Sequence, residues 1–403
     1  MSTNFNSSFP NSYTTQIGQD IIQAKSYLEN GELVAIPTET VYGLAANAFD
    51  EKAVQSIFAT KGRPQTNPLI VHIANFEQLA KYVTYIPEKA LALLKAFSPG
   101  PITVLLPKSN LISDSITAGS PLVAIRIPNH PLTLQLLESL PFPLVAPSAN
   151  LYQQISPTTA QHVYAGLSNK IPYILDGGPC QAGIESTIIG FTPNSEPDYS
   201  LKPEPRLSTN PEPRSLSNSE QPTIYRLGAL SIEKITELIG PVSLFNKSAI
   251  TPAPTTNTTT NTTSTTNLDS TPTSNLFLAS NSHPITPGMA IKHYSPQTAL
   301  IVVDDFDSLF KEDFQNQNPN PIAKDTPKDK IAYLGYNQVH PGIPNTQQYL
   351  LCLNNDFETA AHNLYKALHD LDQGNYQLIV VKRFPNQGLG LSINDRIQRA
   401  QNS

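Results

Sequence analysis

Residues 36–72 read IPTETVYGLAANAFDEKAVQSIFATKGRPQTNPLIVH, and this stretch decides the fold. An apolar run ends at Pro37, which cannot donate to a strand ladder, and a polar turn follows. Asp50 can cap a helix whose apolar residues keep helical spacing, and Gly62 predicts its end. A second apolar run then leads to His72. This alternation of strand and helix predicts an α/β fold.

The turn after this helix carries two cations. Lys61 and Arg63 flank a glycine and are followed by Pro64, so the pair is held on a tight turn. A solvated surface pair is one interpretation. The other is a phosphate site, because the arginine fork suits phosphate oxygens. With the nearby hydroxyls and imidazole, we expect a small polar cleft for an anionic ligand.

Composition limits the possible classes of protein. At 403 residues the chain is expected to form two domains, and its net charge of −6 argues against tight, non-specific binding of nucleic acid. It has no apolar run of about 18 residues, and its first residues are polar, so we expect neither a membrane partner nor a signal peptide. Cys180 and Cys352 fall in different predicted domains, so no disulfide is expected and the cytoplasm is the predicted location.

Helical and strand patterns interleave from residue 14 to residue 245, which predicts a catalytic domain with a mixed, twisted sheet. The first element is predicted as a helix over Gln16–Asn30, because its apolar residues have helical spacing and Gly31 follows. Residues 193–222 are rich in Pro, Ser, Asn and Glu and predict a disordered insertion in a surface loop.

A Thr/Asn-rich linker is predicted over residues 246–297, and within it residues 286–296 resemble an ordered docking segment. Residues 298–403 alternate unpunctuated apolar strands with helices. That pattern predicts a smaller, parallel, doubly wound (Rossmann-like) C-terminal α/β domain.

Three further features of the first domain favour a site for a polyanion. Arg126 interrupts an apolar strand, where a buried guanidinium requires an anion. Ser148 and Asn150 follow a short buried strand, where α/β sheets commonly bind ligands, although a helix cap is the alternative. The third feature is His72, although a lone histidine in a strand is more often a satisfied core residue. The occurrence of all these features in one domain is what favours the site.

Several other kinds of site are absent from the sequence. There is no P-loop, no Cys-x-x-Cys and no His-x-x-x-His. Cys180 lies in a Gly-Gly-Pro-Cys turn and could be a nucleophile, but no partner histidine is visible, so we expect a small buried thiol.

The motifs together closely resemble the L-threonylcarbamoyladenylate synthase (YrdC-like) family, in its long two-domain form. The matching stretches are Pro37–Leu44, Lys61–Pro64, Asn67–His72, Ser98–Pro101, Ala124–Pro128, Ala146–Asn150, Glu185–Thr187, Pro287–Met289, His293–Pro296 and Gly388–Arg396. The resemblance implies that L-threonine, bicarbonate or CO₂, and ATP with Mg²⁺ give threonylcarbamoyl-AMP and pyrophosphate. A downstream threonylcarbamoyl transferase complex would then modify tRNA beside the anticodon, so that tRNA is an indirect partner.

The resemblance also implies roles for particular residues. The catalytic set would be Lys61, Arg63, Ser148 and Asn150. ATP would contact Arg63, Asn67, Leu122 (through its backbone), Ser148, Ser156, Arg226 and Tyr294. L-threonine would contact Thr40, His72, Arg126, Ala146 and Ser186, and no protein residue is implied as a metal ligand. Since Tyr294 belongs to the linker, that segment would fold over the cleft as a lid and exclude water.

The chain departs from the family pattern in two places. Residues Ala290, Ile291 and Lys292 stand where the family has Lys-Tyr-Arg, and Leu227 replaces the proline of an Arg-Pro-Gly stretch. Two other functions remain to be compared with the synthase. One is a double-stranded RNA or tRNA-binding module without catalysis, which the net charge disfavours. The other is a carbamoyl-phosphate-using relative, which would carry Cys-x-x-Cys motifs that are not present.

Overall fold

A computed structural model describes residues 13–192, 221–245, 286, 294–310 and 326–401. The described part contains one mixed eleven-stranded sheet and one parallel four-stranded sheet. We call the elements around the first sheet the N-terminal unit and those around the second the C-terminal unit. The predicted α/β class, with a mixed sheet followed by a parallel one, is confirmed.

Eleven strands form the sheet of the N-terminal unit. They are β1 (Gln16–Gly18), β2 (Val34–Ile36), β3 (Gly43–Asn47), β4 (Ile70–His72), β5 (Ile102–Pro107), β6 (Leu122–Arg126), β7 (Leu144–Val145), β8 (Tyr173–Leu175), β9 (Thr187–Thr192), β10 (Gln221–Arg226) and β11 (Ser243–Leu244). Their order across the sheet is β1-β8-β2-β3-β7-β4-β6-β5-β9-β10-β11. Strands β4 and β6 are parallel neighbours, whereas β2 and β3 are antiparallel.

Eight helices cover this sheet in the described part of the unit. They are α1 (Ile21–Glu29), α2 (Glu51–Lys61), α3 (Phe76–Tyr82), α4 (Glu88–Phe97), α5 (Asp114–Thr117), α6 (Pro131–Ser139), α7 (Ala160–Leu167) and α8 (Ile232–Ile239). The side chain of Asp50 caps α2 by accepting from the backbone nitrogens of Lys52 and Ala53, as the sequence predicts. Gly62 ends α2 in the left-handed region at φ 64°, where a Cβ would be strained. The two cations therefore lie on either side of a sharp change in chain direction.

The predicted helix over Gln16–Asn30 is wrong at its start. Residues Gln16–Gly18 form β1, which pairs in parallel with β8, and the helix begins only at Ile21 after the Asp20 cap. Helical spacing of apolar residues could not reveal this, because the strand is specified by a partner more than 150 residues away. The predicted insertion is also too long at its end, since Gln221 and Pro222 already belong to β10. Residues 193–220 lie outside the described residues.

The C-terminal unit has strands β12 (Ala299–Val303), β13 (Ile331–Gly335), β14 (Gln348–Leu350) and β15 (Leu378–Lys382) and helices α9 (Phe357–Asp372) and α10 (Leu389–Gln401). The strand order is β12-β15-β13-β14 and all the pairings are parallel. Both helices share one apolar cluster with residues of β12, β13 and β15, so they pack on the same side of the sheet. Helix α10 begins three residues before the predicted start at Ser392.

One apolar cluster crosses from the first unit to the second. Val41, Ile155 and Ile184 of the N-terminal unit belong to the same buried cluster as the inner faces of α9 and α10. Tyr294 lies in it as well, with 1% of its surface exposed. Of the predicted lid over residues 286–296, only Thr286 and residues 294–296 are described. The remainder, including the departure at Ala290 and Ile291, lies outside the described residues.

Candidate active site

A polar turn, residues 37–42, joins β2 to β3 and forms one wall of the site. The Thr38 hydroxyl oxygen accepts from the backbone nitrogens of Thr40 at 3.1 Å and Val41 at 3.2 Å, which is the local bonding of a Ser/Thr turn. It also lies 2.8 Å from the Thr40 hydroxyl oxygen. Glu39 and Thr40 are buried as a result of this folded turn. The sequence pattern Pro-Thr-Glu-Thr thus fixes a hydroxyl and a carboxylate at the end of β2.

Arg126 reaches this turn from the end of β6. Its Nη2 donates to Glu39 Oε2 at 2.9 Å and to Thr40 Oγ1 at 2.7 Å. The guanidinium is buried, and its Nε has no hydrogen-bond partner among the described residues. Glu39 therefore supplies the anion that a strand arginine requires. The guanidinium still has donor capacity for a second anion.

His72 lies beside Arg126, because the two residues are register partners at the ends of parallel strands β4 and β6. His72 Nδ1 is 3.1 Å from the Ile70 carbonyl oxygen, and since a carbonyl only accepts, the Nδ1 position carries the proton. Burial, and then the nearby Arg126 charge, lower the pKa of His72 to about 3. The imidazole is therefore neutral at physiological pH and keeps Nε2 as an acceptor.

Ser186 is held by a neighbouring strand and by a second arginine. Its hydroxyl oxygen lies 2.7 Å from Thr103 Oγ1 and accepts from Arg226 Nη2 at 3.0 Å. Arg226 Nε and Nη2 also donate to the Ser186 carbonyl at 3.0 and 2.8 Å. A residue predicted for threonine and one predicted for ATP are thus in direct contact.

The two predicted cations of the α2 turn point inward. Lys61 and Arg63 are only 3% and 7% exposed. Lys61 Nζ donates to the carbonyl oxygen of Ser148 at 2.5 Å and to that of Asn150. Arg63 Nη2 donates to the Pro68 carbonyl at 3.0 Å, while its Nε has no partner among the described residues. A solvated surface pair, the alternative interpretation, is excluded by this burial.

The charges around this corner are poorly balanced. Lys61, Arg63 and Arg226 make no ion pair with any described residue, although all three are buried. Burial, followed by the charge of Arg63, lowers the pKa of Lys61 well below its ordinary value. Burial is also the main cause that lowers the pKa of Arg63 to about 10, and Arg226 adds to this effect. An anionic ligand would relieve this excess of positive charge.

Asn67 and Asn150 shape the same corner through their side-chain amides. Asn67 Nδ2 donates to the Tyr152 hydroxyl at 3.1 Å. Asn150 Nδ2 donates to the carbonyls of Leu151 at 2.7 Å and Gln154 at 2.9 Å. These bonds fold residues 151–154 against α2, and Tyr152 N donates to the Lys61 carbonyl at 2.8 Å. The structure therefore brings Lys61, Ser148 and Asn150 together.

Three other predicted residues have mainly backbone or internal contacts. Ala146 N donates to the Ile70 carbonyl at 3.1 Å, which keeps it beside β4. Leu122 begins the strand that Arg126 ends, so the two α-carbons are about 13 Å apart along β6. The buried Ser156 hydroxyl donates to Glu185 Oε1 at 2.7 Å rather than facing an open cleft.

The comparisons with known proteins agree with the motifs. One family model, Sua5_yciO_yrdC, described as "Telomere recombination", matches residues 26–200. A second, described as "Threonylcarbamoyl-AMP synthase, C-terminal domain", matches residues 231–401. The threonylcarbamoyl-AMP synthase of Pyrococcus abyssi is 34% identical over 94% of this chain and 92% of its own length. The chain belongs to the threonylcarbamoyl-AMP synthase family.

Other relatives and solved structures support the same membership. The threonylcarbamoyl-AMP synthase of Bacillus subtilis is 33% identical over 94% of this chain and 92% of its own length. The structure of P. abyssi Sua5 complexed with L-threonine matches with a TM-score of 0.72 and 32% identity, covering 96% of this chain and 97% of that chain. The match therefore includes both units, as the long two-domain form requires. These relatives are enzymes of one family, and the chain is an enzyme of this family too.

Sequence reasoning missed several residues that the fold brings to the site. Glu39 was present in the quoted motif but was not identified as the partner of Arg126. Thr103 contacts Ser186, and Arg396 of α10 reaches Glu185 from the other unit. For Glu39 and Arg396, the need of a buried charge for an opposite charge was the available signal, but the pairing across the fold is not visible in one sequence. For the uncharged Thr103 the sequence offered no such signal.

Cys180 is confirmed as a buried thiol, with 3% of its surface exposed and no disulfide. Burial raises the pKa of its thiol to about 12, so it stays protonated and is a poor nucleophile. Cys352 is also free and buried, in the C-terminal unit. No helix in the described part of this synthase-family chain is long and apolar enough to cross a bilayer.

Proposed function

We propose that this chain makes threonylcarbamoyl-AMP from L-threonine, bicarbonate or CO₂, and ATP, with release of pyrophosphate. The product would pass to a threonylcarbamoyl transferase complex that modifies tRNA beside the anticodon. Family membership supports the reaction class. The feature of this chain that carries the proposal is a buried corner in which three cations make no close ion pair with a described carboxylate.

Charge balance supports a division of the cleft into two parts. Lys61, Arg63 and Arg226 provide the excess positive charge that a triphosphate would neutralise. Arg126 is already neutralised by Glu39 and can hold the single carboxylate of an amino acid. Thr40 and His72, which adjoin Arg126, would contact the rest of the amino acid.

The chemistry needs mainly positioning and neutralisation of charge. The unprotonated threonine amine attacks CO₂, forming a C–N bond and losing a proton, to give an N-carboxylate. An oxygen of this carbamate then attacks the α-phosphorus of ATP, and the bond from that phosphorus to the bridging oxygen breaks as pyrophosphate leaves. Lys61 and Arg63 would stabilise the charge on the departing phosphates. The neutral His72 would accept a hydrogen bond from threonine without adding a competing charge.

Mg²⁺ would enter bound to the phosphates of ATP. Within the described residues no group of three His, Cys, Asp or Glu side chains could hold a metal ion. The buried carboxylates Glu39 and Glu185 are each paired with an arginine. The donor set therefore fits an ion that is coordinated by phosphate oxygens, where it would supply charge neutralisation.

The test is pyrophosphate release from ATP, Mg²⁺ and bicarbonate with a panel of amino acids. We expect release that depends on L-threonine, and the loss of this release in Lys61→Ala with retention of the folded state by circular dichroism. Normal turnover in Lys61→Ala would remove that residue from the mechanism. Salt-sensitive binding of tRNA with no ATP-dependent turnover would instead favour the RNA-binding module.

A further inference from the structure

A carboxylate of the N-terminal unit and a guanidinium of the C-terminal unit form a buried ion pair. Arg396 of α10 is fully buried, and its Nη2 lies 3.1 Å from Glu185 Oε2 while its Nε lies 3.2 Å from the same oxygen. The hydroxyl of Tyr365, on α9, donates to both oxygens of Glu185 at 3.1 and 3.0 Å. Helices α9 and α10 thus both bind the Glu185 side chain of the N-terminal unit.

Helix α9 also contacts two backbone segments of the N-terminal unit, at Gln181 and at Ser156. His362 Nδ1 donates to the Gln181 carbonyl at 2.8 Å, and His369 Nε2 lies 3.2 Å from the Ser156 carbonyl. At Gly183, where φ is 74°, a Cβ would lie 2.4 Å from the His362 carbonyl oxygen. The contact between α9 and residues 181–185 is therefore too close for any side chain at position 183.

Glu185 connects this contact to the candidate site. One of its oxygens accepts from the Ser156 hydroxyl at 2.7 Å. The next residue, Ser186, lies against Thr103 and Arg226 in the predicted threonine pocket. A shift of the Glu185 side chain would therefore move residues predicted to contact both substrates.

We propose that Arg396 is a positioning residue of the threonine pocket, which acts by fixing the ionised Glu185 and, through it, Ser156 and Ser186. This inference rests on the proposed function, since it assigns the pocket to threonine. It gives the C-terminal unit a direct part in forming the site.

The electrostatics of Glu185 depend on this arginine. Burial acts to raise the pKa of Glu185, but Arg396, Arg226 and the Ser156 hydroxyl outweigh it and lower the pKa to about 2. The groups that face the carboxylate are Arg396 of α10, Tyr365 of α9, Arg226 of β10, Ser156 and the ring of Tyr294, over which the Arg396 guanidinium lies at 5.5 Å. Without Arg396 the effect of burial would be less opposed, and the pKa would rise towards the physiological range.

The experiment compares four full-length proteins: wild type, Arg396→Gln, Arg396→Lys and the double variant Glu185→Gln/Arg396→Gln. Binding of L-threonine by calorimetry and steady-state pyrophosphate release are measured from pH 5.5 to 8.5. For Arg396→Gln we expect threonine affinity to fall about 10- to 100-fold, the usual effect of losing a hydrogen bond to a charged group. We also expect a new pH dependence in which affinity recovers as pH rises, because the ionised Glu185 is a stronger acceptor for the Ser156 hydroxyl than the protonated form.

The added pH dependence should be absent from the double variant, which has no carboxylate to titrate, and reduced in Arg396→Lys, which restores a cation. The control is Arg383→Gln, which removes a half-exposed arginine paired with Asp304 at 2.7 Å in the same unit and should behave as wild type. Unchanged threonine affinity and a flat pH profile in Arg396→Gln would overturn the proposal, as would a pH dependence that persists in the double variant. If wild type itself shows no threonine-dependent release, the proposed function has failed instead.

Discussion

Replacement of Arg63 by methionine should separate folding from function. The guanidinium is buried, makes one described hydrogen bond, to the Pro68 carbonyl, and leaves its Nε unpartnered among the described residues. Methionine retains the apolar stem and removes the charge. We therefore expect Arg63→Met to be at least as stable as wild type without ligand, and to be strongly impaired with ATP.

The size of the stability change follows from the pKa of Arg63. Burial, with a contribution from Arg226, lowers this pKa to about 10 from an ordinary value near 12.5. At about 1.4 kcal/mol for each pKa unit, the charge costs the folded state about 3.5 kcal/mol. Because the folded protein holds this proton less tightly than the unfolded chain, the cost is present at every pH below about 10. The bond to Pro68 that is lost contributes about 1 kcal/mol. The net gain is about 2.5 kcal/mol, which corresponds to a rise in Tm of several degrees.

Thermal unfolding and pyrophosphate release test this prediction. MgATP should raise the Tm of wild type and raise that of Arg63→Met much less, and turnover should fall at least about tenfold because charge-assisted bonds to phosphate are lost. Arg383→Met serves as a control, since it removes an arginine of which 40% of the side chain is exposed. A Tm several degrees below wild type without ligand, together with normal turnover, would refute the reasoning.

Three further outcomes are expected. Cys180→Ala should keep its turnover, and loss of turnover in a folded variant would contradict this. Thiol reagents should modify Cys180 slowly in the folded protein, because burial raises the pKa of this thiol to about 12. Burial and the stacked His369 lower the pKa of His162 to about 4 from 6.5, so folding stability is lost as the pH falls from about 6.5 to about 4. His162→Gln should therefore flatten the dependence of urea unfolding on pH between 7 and 5. A chain ending at Lys247 lacks the partners of Glu185, and its threonine-dependent turnover should fall at least about tenfold; full activity would rule out a role for the linker and C-terminal unit.

Local features of the fold were predictable because each depends on nearby residues. Asp50 and Gly62 specify the two ends of α2 through a cap and a left-handed φ, and the structure confirms both. The apolar runs of the C-terminal unit predict its parallel strands in the same way. A strand buried on both faces, as β15 is over most of its length, needs continuous apolar residues.

Features that depend on distant partners were not predictable. Gln16–Gly18 is a strand only because β8 lies beside it. Arg126 shows in the sequence that an anion is needed, but nothing local shows that Glu39 supplies it. In the same way, Arg396 could be matched to a family motif, whereas its contact with Glu185 requires both units to be folded together. The candidate site was therefore predictable as a list of residues, and its internal pairing was not.

The apolar cluster shared by the two units has a consequence for how such chains can be recombined. Val41, Ile155 and Ile184 complete a core that is otherwise built mainly from α9, α10 and the strands of the second sheet. A chimaera that joined this first unit to a foreign second unit would have to match these three side chains in shape, or else expose them to water. The two halves are thus expected to be inherited and exchanged as a matched pair.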